Sequence, residues 1–245
     1  MHLNTFSISA RCSKTGQLGV AVSTAVPGVG GICPFIKTKV GSISTQSWVN
    51  PYLGIDGLNL LEEGKDAKKT LDILINGDPD REVRQIGIVD ANGLSATWTG
   101  KDCVDWAGHL NAENVSIQGN MLVGEETINA MFDSFKDTEK LDLKERLMLC
   151  LEAGQNAGGD KRGKQSAAIK VFDKEEYPYL DLRVDEHHSP VSELRRVFEI
   201  SKQQYTPFIT SMPTRENLKG NLGNDVSEML LMNPGSRPGG TLKNY

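Results

Sequence analysis

The sequence predicts an α+β protein built from layers of antiparallel sheet and helix. Short runs of alternating apolar and polar residues are separated by turn signals, which is typical of strands joined in hairpins. Segments with apolar residues spaced three and four apart predict helices, and these occur in pairs between the hairpins. Because a parallel sheet needs single crossover helices between its strands, this order argues against a Rossmann or TIM-barrel arrangement.

The first part of the chain reads as strands. Residues 6–10 and 18–22 are separated by the turn signal Ser13-Lys14-Thr15-Gly16, which predicts a hairpin. A further strand is predicted at 40–46, after a glycine-rich stretch. Small residues within these runs predict close packing of one sheet on another.

Two pairs of helices interrupt the strands. Apolar positions between 58 and 75 predict the first pair, with a break at Gly64 and with Asp66 as the N-cap of its second helix. The second pair is predicted at 125–135 and 141–154, where apolar residues recur on one helical face. The remaining strand candidates lie at residues 85–89, 94–99, 115–121, 166–172 and 180–184.

The domain prediction is one unit over residues 1–205, ending in a helix at 191–205. Residues 206–245 contain four prolines and a glycine-rich end. Because proline interrupts regular structure, this segment is predicted to be an extended C-terminal tail that docks on the body or on a neighbouring subunit. It is not predicted to form a second domain.

Composition argues against several classes of function. The net charge is −5 and no block of lysine or arginine stands out, so nucleic acid binding is not expected. No apolar run approaches the roughly 20 residues that span a bilayer, and the start of the chain lacks a secretory pattern. We therefore expect a cytoplasmic protein without a membrane partner. The cysteines are far apart and are expected to be reduced, with one disulfide as the alternative: Cys12, Cys33, Cys103 and Cys150.

Several phrases along the chain are similar to the DUF1028 family, which is grouped with the N-terminal-nucleophile (Ntn) hydrolases. They recur in order over roughly residues 5–200. The phrases include Thr5-Phe6-Ser7-Ile8, Leu18-Gly19-Val20-Ala21-Val22-Ser23, Arg84-Gln85-Ile86-Gly87-Ile88-Val89-Asp90, Gln118-Gly119-Asn120-Met121-Leu122 and Gly158-Gly159-Asp160-Lys161-Arg162-Gly163. The resemblance implies a four-layer αββα sandwich, in which two antiparallel sheets are flanked by helices.

The resemblance offers Thr5, at the start of the first strand, as a catalytic nucleophile. In an Ntn hydrolase the first residue of the mature chain attacks the substrate, and its own α-amine is the base. An α-amine has a pKa near ~7.7–8, so a useful fraction is neutral at physiological pH. Four residues precede Thr5, so this role requires cleavage of the Asn4-Thr5 bond. The alternative is that Thr5 is an ordinary strand residue.

Lys37 is the second catalytic candidate that the resemblance suggests. Proteasome-like Ntn proteins place a basic residue at a comparable distance from the nucleophile, and its positive charge would favour the alkoxide. The alternative is a solvated lysine at the end of a strand.

Polar side chains at strand ends supply candidate substrate-binding groups. Thr45, Gln46 and Asn50 could orient a carbonyl or stabilise an oxyanion, or they could cap the next helix. Asn120 closes a later strand and could face the same cleft.

The segment 158–166 is the densest polar cluster of the chain. It contains Asp160, Arg162, Gln165 and Ser166 among glycines that would let a ligand approach the backbone. It does not match the phosphate-binding GxxxxGK[ST] pattern. A role in the substrate site is one reading, and a loop with an internal Asp–Arg pair is the other.

Two further polar features favour structural roles. Arg84 opens a strand and is expected to pair with Asp160 or Asp185, with a substrate contact as the alternative. His187 and His188 are adjacent and lack a second cluster with ligand spacing, so a surface turn is expected and no metal site.

Together with the resemblance, these residues predict an Ntn-type hydrolase of a small amide or peptide bond, with Thr5 as nucleophile. The alternative is a non-catalytic Ntn-fold protein that binds a small metabolite between its sheets. A structural role is disfavoured by the acidic composition. No cofactor is expected. A homo-oligomer, most simply a dimer, is expected because Ntn-fold proteins often assemble and the tail could join two subunits.

Overall fold

A computed structural model describes residues 5–240 and contains two antiparallel sheets. The strands are β1 (Thr5–Arg11), β2 (Leu18–Thr24), β3 (Pro34–Lys37), β4 (Gly41–Ser47), β5 (Arg84–Asp90), β6 (Ser95–Thr99), β7 (Gly108–Ala112), β8 (Val115–Asn120), β9 (Ser166–Phe172) and β10 (Pro178–Val184). The six-stranded sheet has the order β10-β9-β2-β1-β8-β7, and the four-stranded sheet has the order β3-β4-β5-β6. The strand β1 is therefore central in the larger sheet.

Helices cover the outer face of each sheet. The helices are α1 (Pro51–Glu62), α2 (Ala67–Gly77), α3 (Glu126–Asp137), α4 (Leu143–Asn156), α5 (Pro190–Ser211) and α6 (Asn224–Leu231). The pair α1 and α2 packs on the four-stranded sheet, while α3, α4 and α5 pack on the six-stranded sheet. The predicted four-layer αββα sandwich is confirmed.

The apolar core lies in the two outer layers, between each sheet and its helices. Phe6 and Ile8 of β1 are buried in one cluster with Leu147 and Leu151 of α4. A separate cluster beneath α1 and α2 is built on strand residues of the smaller sheet, and its strand members are Ile43, Ile86, Ile88 and Ala96. Since strand side chains alternate between faces, every second residue of these strands points toward the other sheet.

Small polar residues fill the layer between the sheets. Gln118 of β8 donates from Nε2 to Ser7 Oγ at 2.6 Å and to Ser44 Oγ at 2.5 Å, which links the two sheets. The hydroxyl of Ser116 donates to Gln118 Oε1 at 2.8 Å. A Cβ atom on Gly87 would lie 2.0 Å from Gln118 Oε1, so glycine is required for this close approach. The predicted close packing of sheet on sheet is confirmed.

The end of the chain differs from the sequence prediction. The helix α5 continues through Pro207 to Ser211, beyond the predicted end at Tyr205, and α6 forms within the segment predicted to be extended. A proline inside a helix removes one hydrogen bond and crowds the carbonyl of the preceding turn, but Ile209 in the continued turn is buried and contributes apolar contact. The tail does contact the body, because Tyr177 Oη donates to Pro213 O at 2.8 Å. Residues 241–245 of the predicted tail lie outside the described residues, and the division at residue 205 stays a prediction.

Other local features were predicted with mixed success. Asp66 is the N-cap of α2 and accepts a hydrogen bond from Lys69 N at 2.8 Å, as predicted. The strand β7 was missed, because it lies at the edge of its sheet and its exposed residues show no apolar alternation. All four cysteines are free and buried. Over residues 5–240, no helix has the length and apolar character that crossing a membrane would require.

Candidate active site

Three of the predicted polar residues and Thr24, which was not predicted, form one row across the end of the six-stranded sheet. The strand register pairs Ser166 with Thr24, Thr24 with Thr5, and Thr5 with Asn120. Each of these side chains belongs to a residue that is less than about 3% exposed. The row places the threonine at the start of β1 between two other polar strand ends.

Thr5 is the centre of this row. Its Oγ1 donates to Thr24 Oγ1 at 3.2 Å, and the residue is 2% exposed. Gln46 of the smaller sheet donates from Nε2 to the Thr5 carbonyl oxygen at 3.2 Å. Within residues 5–240, no lysine, arginine or histidine side chain hydrogen-bonds to Thr5 Oγ1. Among the described residues, Thr5 therefore has no side-chain cation at hydrogen-bonding distance.

Gln85, which was not predicted from the sequence, joins the side-chain amides of Gln46 and Asn120. Its Oε1 accepts from Gln46 Nε2 at 2.8 Å and from Asn120 Nδ2 at 2.9 Å. Its own Nε2 donates to the Gly119 carbonyl at 2.8 Å. Strand alternation was the one signal in the sequence. Because Gln85 follows Arg84 along β5, its side chain must point to the opposite face of the sheet. The result is a three-amide cluster that fixes the Asn120 and Gln46 side chains beside Thr5.

The strands β4 and β8, which supply the Gln46 and Asn120 amides, each lead into the next turn through an unusual backbone conformation. Ser47 follows Gln46 with φ 67°, and Met121 follows Asn120 with φ 55°. Residues other than glycine rarely adopt positive φ, and such strain, on the order of 1–3 kcal/mol each, is concentrated at functional sites. Ser47 is also buried, and within residues 5–240 the neighbour that its side chain contacts is the thiol of Cys103. Both features mark this end of the sandwich.

The segment 158–166 supports the row from the side of β2. The buried Asp160 carboxylate accepts from Ala25 N at 3.2 Å and pairs with Arg162 Nη2 at 3.2 Å. Ser166 Oγ donates to Val26 O at 2.5 Å, and Gln165 N donates to Thr24 O at 2.8 Å. The predicted alternative, an internal Asp–Arg pair, is present, and it holds the chain that follows Thr24.

Lys37 lies at the other end of the sandwich, which contradicts its predicted role beside Thr5. Lys37 of β3 pairs in register with Gly41, at the start of β4. Gln46, near the other end of β4, donates to the Thr5 carbonyl oxygen. Five residues of strand separate those positions, roughly 17 Å. The Lys37 ammonium instead forms an exposed ion pair with Glu62 at 2.5 Å. The alternative of a solvated strand-end lysine is the better description.

The partner predicted for Arg84 is also wrong. Its Nε donates to Asp78 Oδ2 at 2.9 Å, and this buried pair lies under α1 and α2. Burial alone would raise the pKa of Asp78, but hydrogen bonds from Arg84, from Asp80 N and from Asn50 outweigh it and lower that pKa. Asp185 pairs with Arg183 instead. Arg84 therefore has the structural role that the sequence favoured, with a different acid.

Thr45 and Asn50 belong to this outer cluster and not to the row around Thr5. Asn50 caps α1 by accepting from Tyr52 N at 3.1 Å, and it donates to Asp78 at 3.2 Å. Thr45 Oγ1 donates to the Asn50 carbonyl at 3.3 Å. Because Thr45 alternates with Gln46 along β4, the two side chains lie on opposite faces of the sheet.

Within residues 5–240, no candidate metal centre accompanies the row. His187 Nδ1 accepts from Ser189 N at 3.0 Å, which closes the turn before α5. In the part of the chain that the structure describes, no group of three or more His, Cys, Asp or Glu side chains is arranged to hold a metal ion.

The fold and the row define a layered αββα protein whose central strand begins at a buried threonine. The DUF1028 family, described as a family of unknown function, matches residues 5–194, and the chain belongs to this family. Protein SPO2555 from Silicibacter pomeroyi, a solved structure assigned to DUF1028, superposes with a TM-score of 0.82 at 26% identity over 90% of this chain and 100% of that chain. Among curated proteins no match was found.

A more distant structural similarity was also found. Anbu (ancestral beta-subunit) from Yersinia bercovieri aligns with a TM-score of 0.37 at 11% identity, over 80% of this chain and 94% of that chain.

Proposed function

We propose that this protein is an Ntn-type hydrolase that cleaves a small amide or peptide bond, with Thr5 as nucleophile after cleavage of the Asn4-Thr5 bond. The observation that supports this most is the placement of the Thr5 hydroxyl at the start of the central strand, between Thr24 and Asn120. Asn4 itself lies outside the described residues.

The chemistry follows from the groups around Thr5. A freed Thr5 α-amine would accept the hydroxyl proton, and Oγ1 would attack the substrate carbonyl carbon. The Asn120 amide donates one N–H to Gln85, which leaves its second N–H for the oxyanion of the tetrahedral intermediate. Collapse of that intermediate expels the substrate amine with the transferred proton and leaves an ester on Thr5. Water then hydrolyses the ester and restores the hydroxyl.

Within residues 5–240, the hydrogen-bond partner of Thr5 Oγ1 is the hydroxyl of Thr24, which is not a base, so the scheme takes its base from the α-amine. A threonine hydroxyl needs a base within about 2.6–3.2 Å, and an α-amine created by cleavage would provide one from the same residue. Lys37 has no part in the scheme, because its ammonium lies at the far end of the sandwich.

The second candidate is a non-catalytic protein that binds a small metabolite. The observation that favours it is the burial of Thr5 in the uncut chain, where its hydroxyl is already satisfied by Thr24. In that case the row would be a packed polar core, and the ligand would bind elsewhere.

Two measurements distinguish these candidates. The intact mass of the native protein, purified from its own host, should show loss of Met1 through Asn4. A recombinant protein released from a cleavable fusion with Thr5 as its first residue should hydrolyse members of an amide and dipeptide library. Thr5→Ala should reduce that rate by at least about a thousandfold, while Thr5→Ser should retain activity.

The matched control is Thr210→Ala, which removes an exposed hydroxyl on α5 and should leave the rate unchanged. A native mass that includes residues 1–4, together with no hydrolysis by the protein that begins at Thr5, would reject the hydrolase. Library members that bind without turnover would then support the metabolite-binding candidate.

A further inference from the structure

A second cavity lies at the opposite end of β1 from Thr5. Its volume is about 240 Å³, and its lining includes Arg11 at the end of β1, Arg146 of α4 and Phe135 of α3. Since β1 runs from Thr5 to Arg11, the cavity is roughly 20 Å from the candidate active site. It is therefore a separate site, with no residue in common with the row around Thr5.

Arg146 is a buried cation with incomplete hydrogen bonding. Its residue exposure is 5%, its Nη2 donates to Phe135 O at 2.8 Å, and its guanidinium carbon lies 3.7 Å from the centre of the Phe135 ring. Its Nε is buried without a partner within residues 5–240. Burial lowers the pKa of Arg146, because the charged form is disfavoured away from water, and the opposing attraction from Glu139 does not offset this effect.

Arg11 repeats this pattern on the facing strand. Its Nη1 donates to Asn114 Oδ1 at 3.0 Å, while its Nε is buried and has no partner among the described residues. No carboxylate of residues 5–240 forms an ion pair within 4.0 Å of either guanidinium. Glu113 and Glu139 line the same cavity, but both are exposed. Within residues 5–240, two cations thus share one cavity without a carboxylate in ion-pair contact, although Glu139 attracts Arg146 from a greater distance.

A buried charge without a counter-ion is costly, and the ring and carbonyl of Phe135 offset only part of that cost for Arg146. The Nε and Nη donors of a guanidinium form a planar fork that matches two oxygens of one oxyanion. A bound oxyanion would supply the counter-charge that no carboxylate of residues 5–240 places within 4.0 Å of either guanidinium. The volume lies below the range of about 300–1,000 Å³ for drug-sized ligands, so the cavity suits a compact anion.

We propose that this cavity binds the oxyanion group of a small metabolite, a phosphate or a carboxylate, between the guanidinium groups of Arg11 and Arg146. Lys136 also lines the cavity, where its exposed ammonium is paired with Asp133 at 3.0 Å. Because the site is independent of Thr5, anion binding requires neither chain cleavage nor hydrolysis.

The test is calorimetric titration of the full-length protein with inorganic phosphate in one arm and with acetate and succinate in the other, at constant ionic strength set by chloride. We expect saturable binding of one anion per chain. Arg11→Gln and Arg146→Lys should each weaken that binding by at least about tenfold, because each removes a charge-assisted fork to the ligand. Arg215→Gln, which removes an exposed arginine paired with Glu176, is the matched control and should bind as the unaltered protein does.

Arg146→Lys preserves the buried positive charge, and thermal unfolding of this variant checks that it still folds. Arg11→Gln tests anion binding independently, at the other guanidinium. Tighter binding of phosphate assigns a phosphate-bearing metabolite, and tighter binding of a carboxylate assigns a carboxylic acid. Either result supports the site. Absence of saturable binding in both arms, or binding equal in Arg11→Gln and in the control, would overturn it.

Discussion

The outer and middle layers of the sandwich are stabilised by different interactions. Between the six-stranded sheet and its helices, apolar side chains such as Phe6 and Leu147 are fully buried. Between the two sheets, Ser7, Ser44 and Gln118 are equally buried but hydrogen-bond to one another. Apolar burial is non-directional, whereas buried amides and hydroxyls require specific partners. The difference suggests that the outer layers supply most of the stability and that the middle layer fixes how the sheets align.

The largest effect that tests this comparison is in the outer layer. Leu147→Ala should lower the free energy of unfolding by about 2–5 kcal/mol, because it removes a fully buried side chain that packs directly on Gly19 of β2. Urea denaturation measures the change. Leu218→Ala removes a leucine that is 82% exposed and should change the stability by less than about 0.5 kcal/mol. Equal effects in the two variants would contradict the assignment of the core.

A smaller effect is expected in the middle layer. Gln118→Met keeps the approximate length of the side chain but removes the donors to Ser7 and Ser44. We expect a loss of about 1–3 kcal/mol from the groups left unsatisfied, again by urea denaturation. The same change at the half-buried Gln165 should cost much less. If Gln118→Met were neutral, the hydrogen bonds would not be what holds the sheets in register.

The smallest effect concerns the charged pair beneath α1 and α2, an exception within an apolar layer. The pKa of Asp78 is lower in the folded chain than its ordinary value, which is about 3.9 in an unfolded chain. Its contribution is therefore complete above that value and is lost as the pH falls through the folded pKa. Asp78→Asn should cost about 1–2 kcal/mol at pH 7, and the difference from the unaltered protein should shrink toward pH 3.

Urea midpoints of both proteins across that pH range give the measurement. A difference that stayed constant on acidification would mean that the carboxylate charge contributes nothing, and that Asp78 acts through its shape or its neutral hydrogen bonds alone.

The sequence supported the candidate site unevenly, for a physical reason. Gln46 and Asn120 were predicted because polar residues closed two strands, and both lie beside Thr5. Lys37 was placed there by its distance along the chain, yet strand register carries it to the far end. Gln85 was missed because one strand alone does not reveal which residues of another sheet it faces.

Local patterns determined the order of strands and paired helices, since side-chain periodicity and turn signals depend on neighbouring residues. The sequence alone therefore established a layered α+β protein with Thr5 at the start of its first strand. Tertiary structure decided the strand order, the acid that pairs with Arg84 and the cavity shared by Arg11 and Arg146. These depend on contacts between residues far apart in the chain, and such contacts follow from the packing of whole sheets and helices.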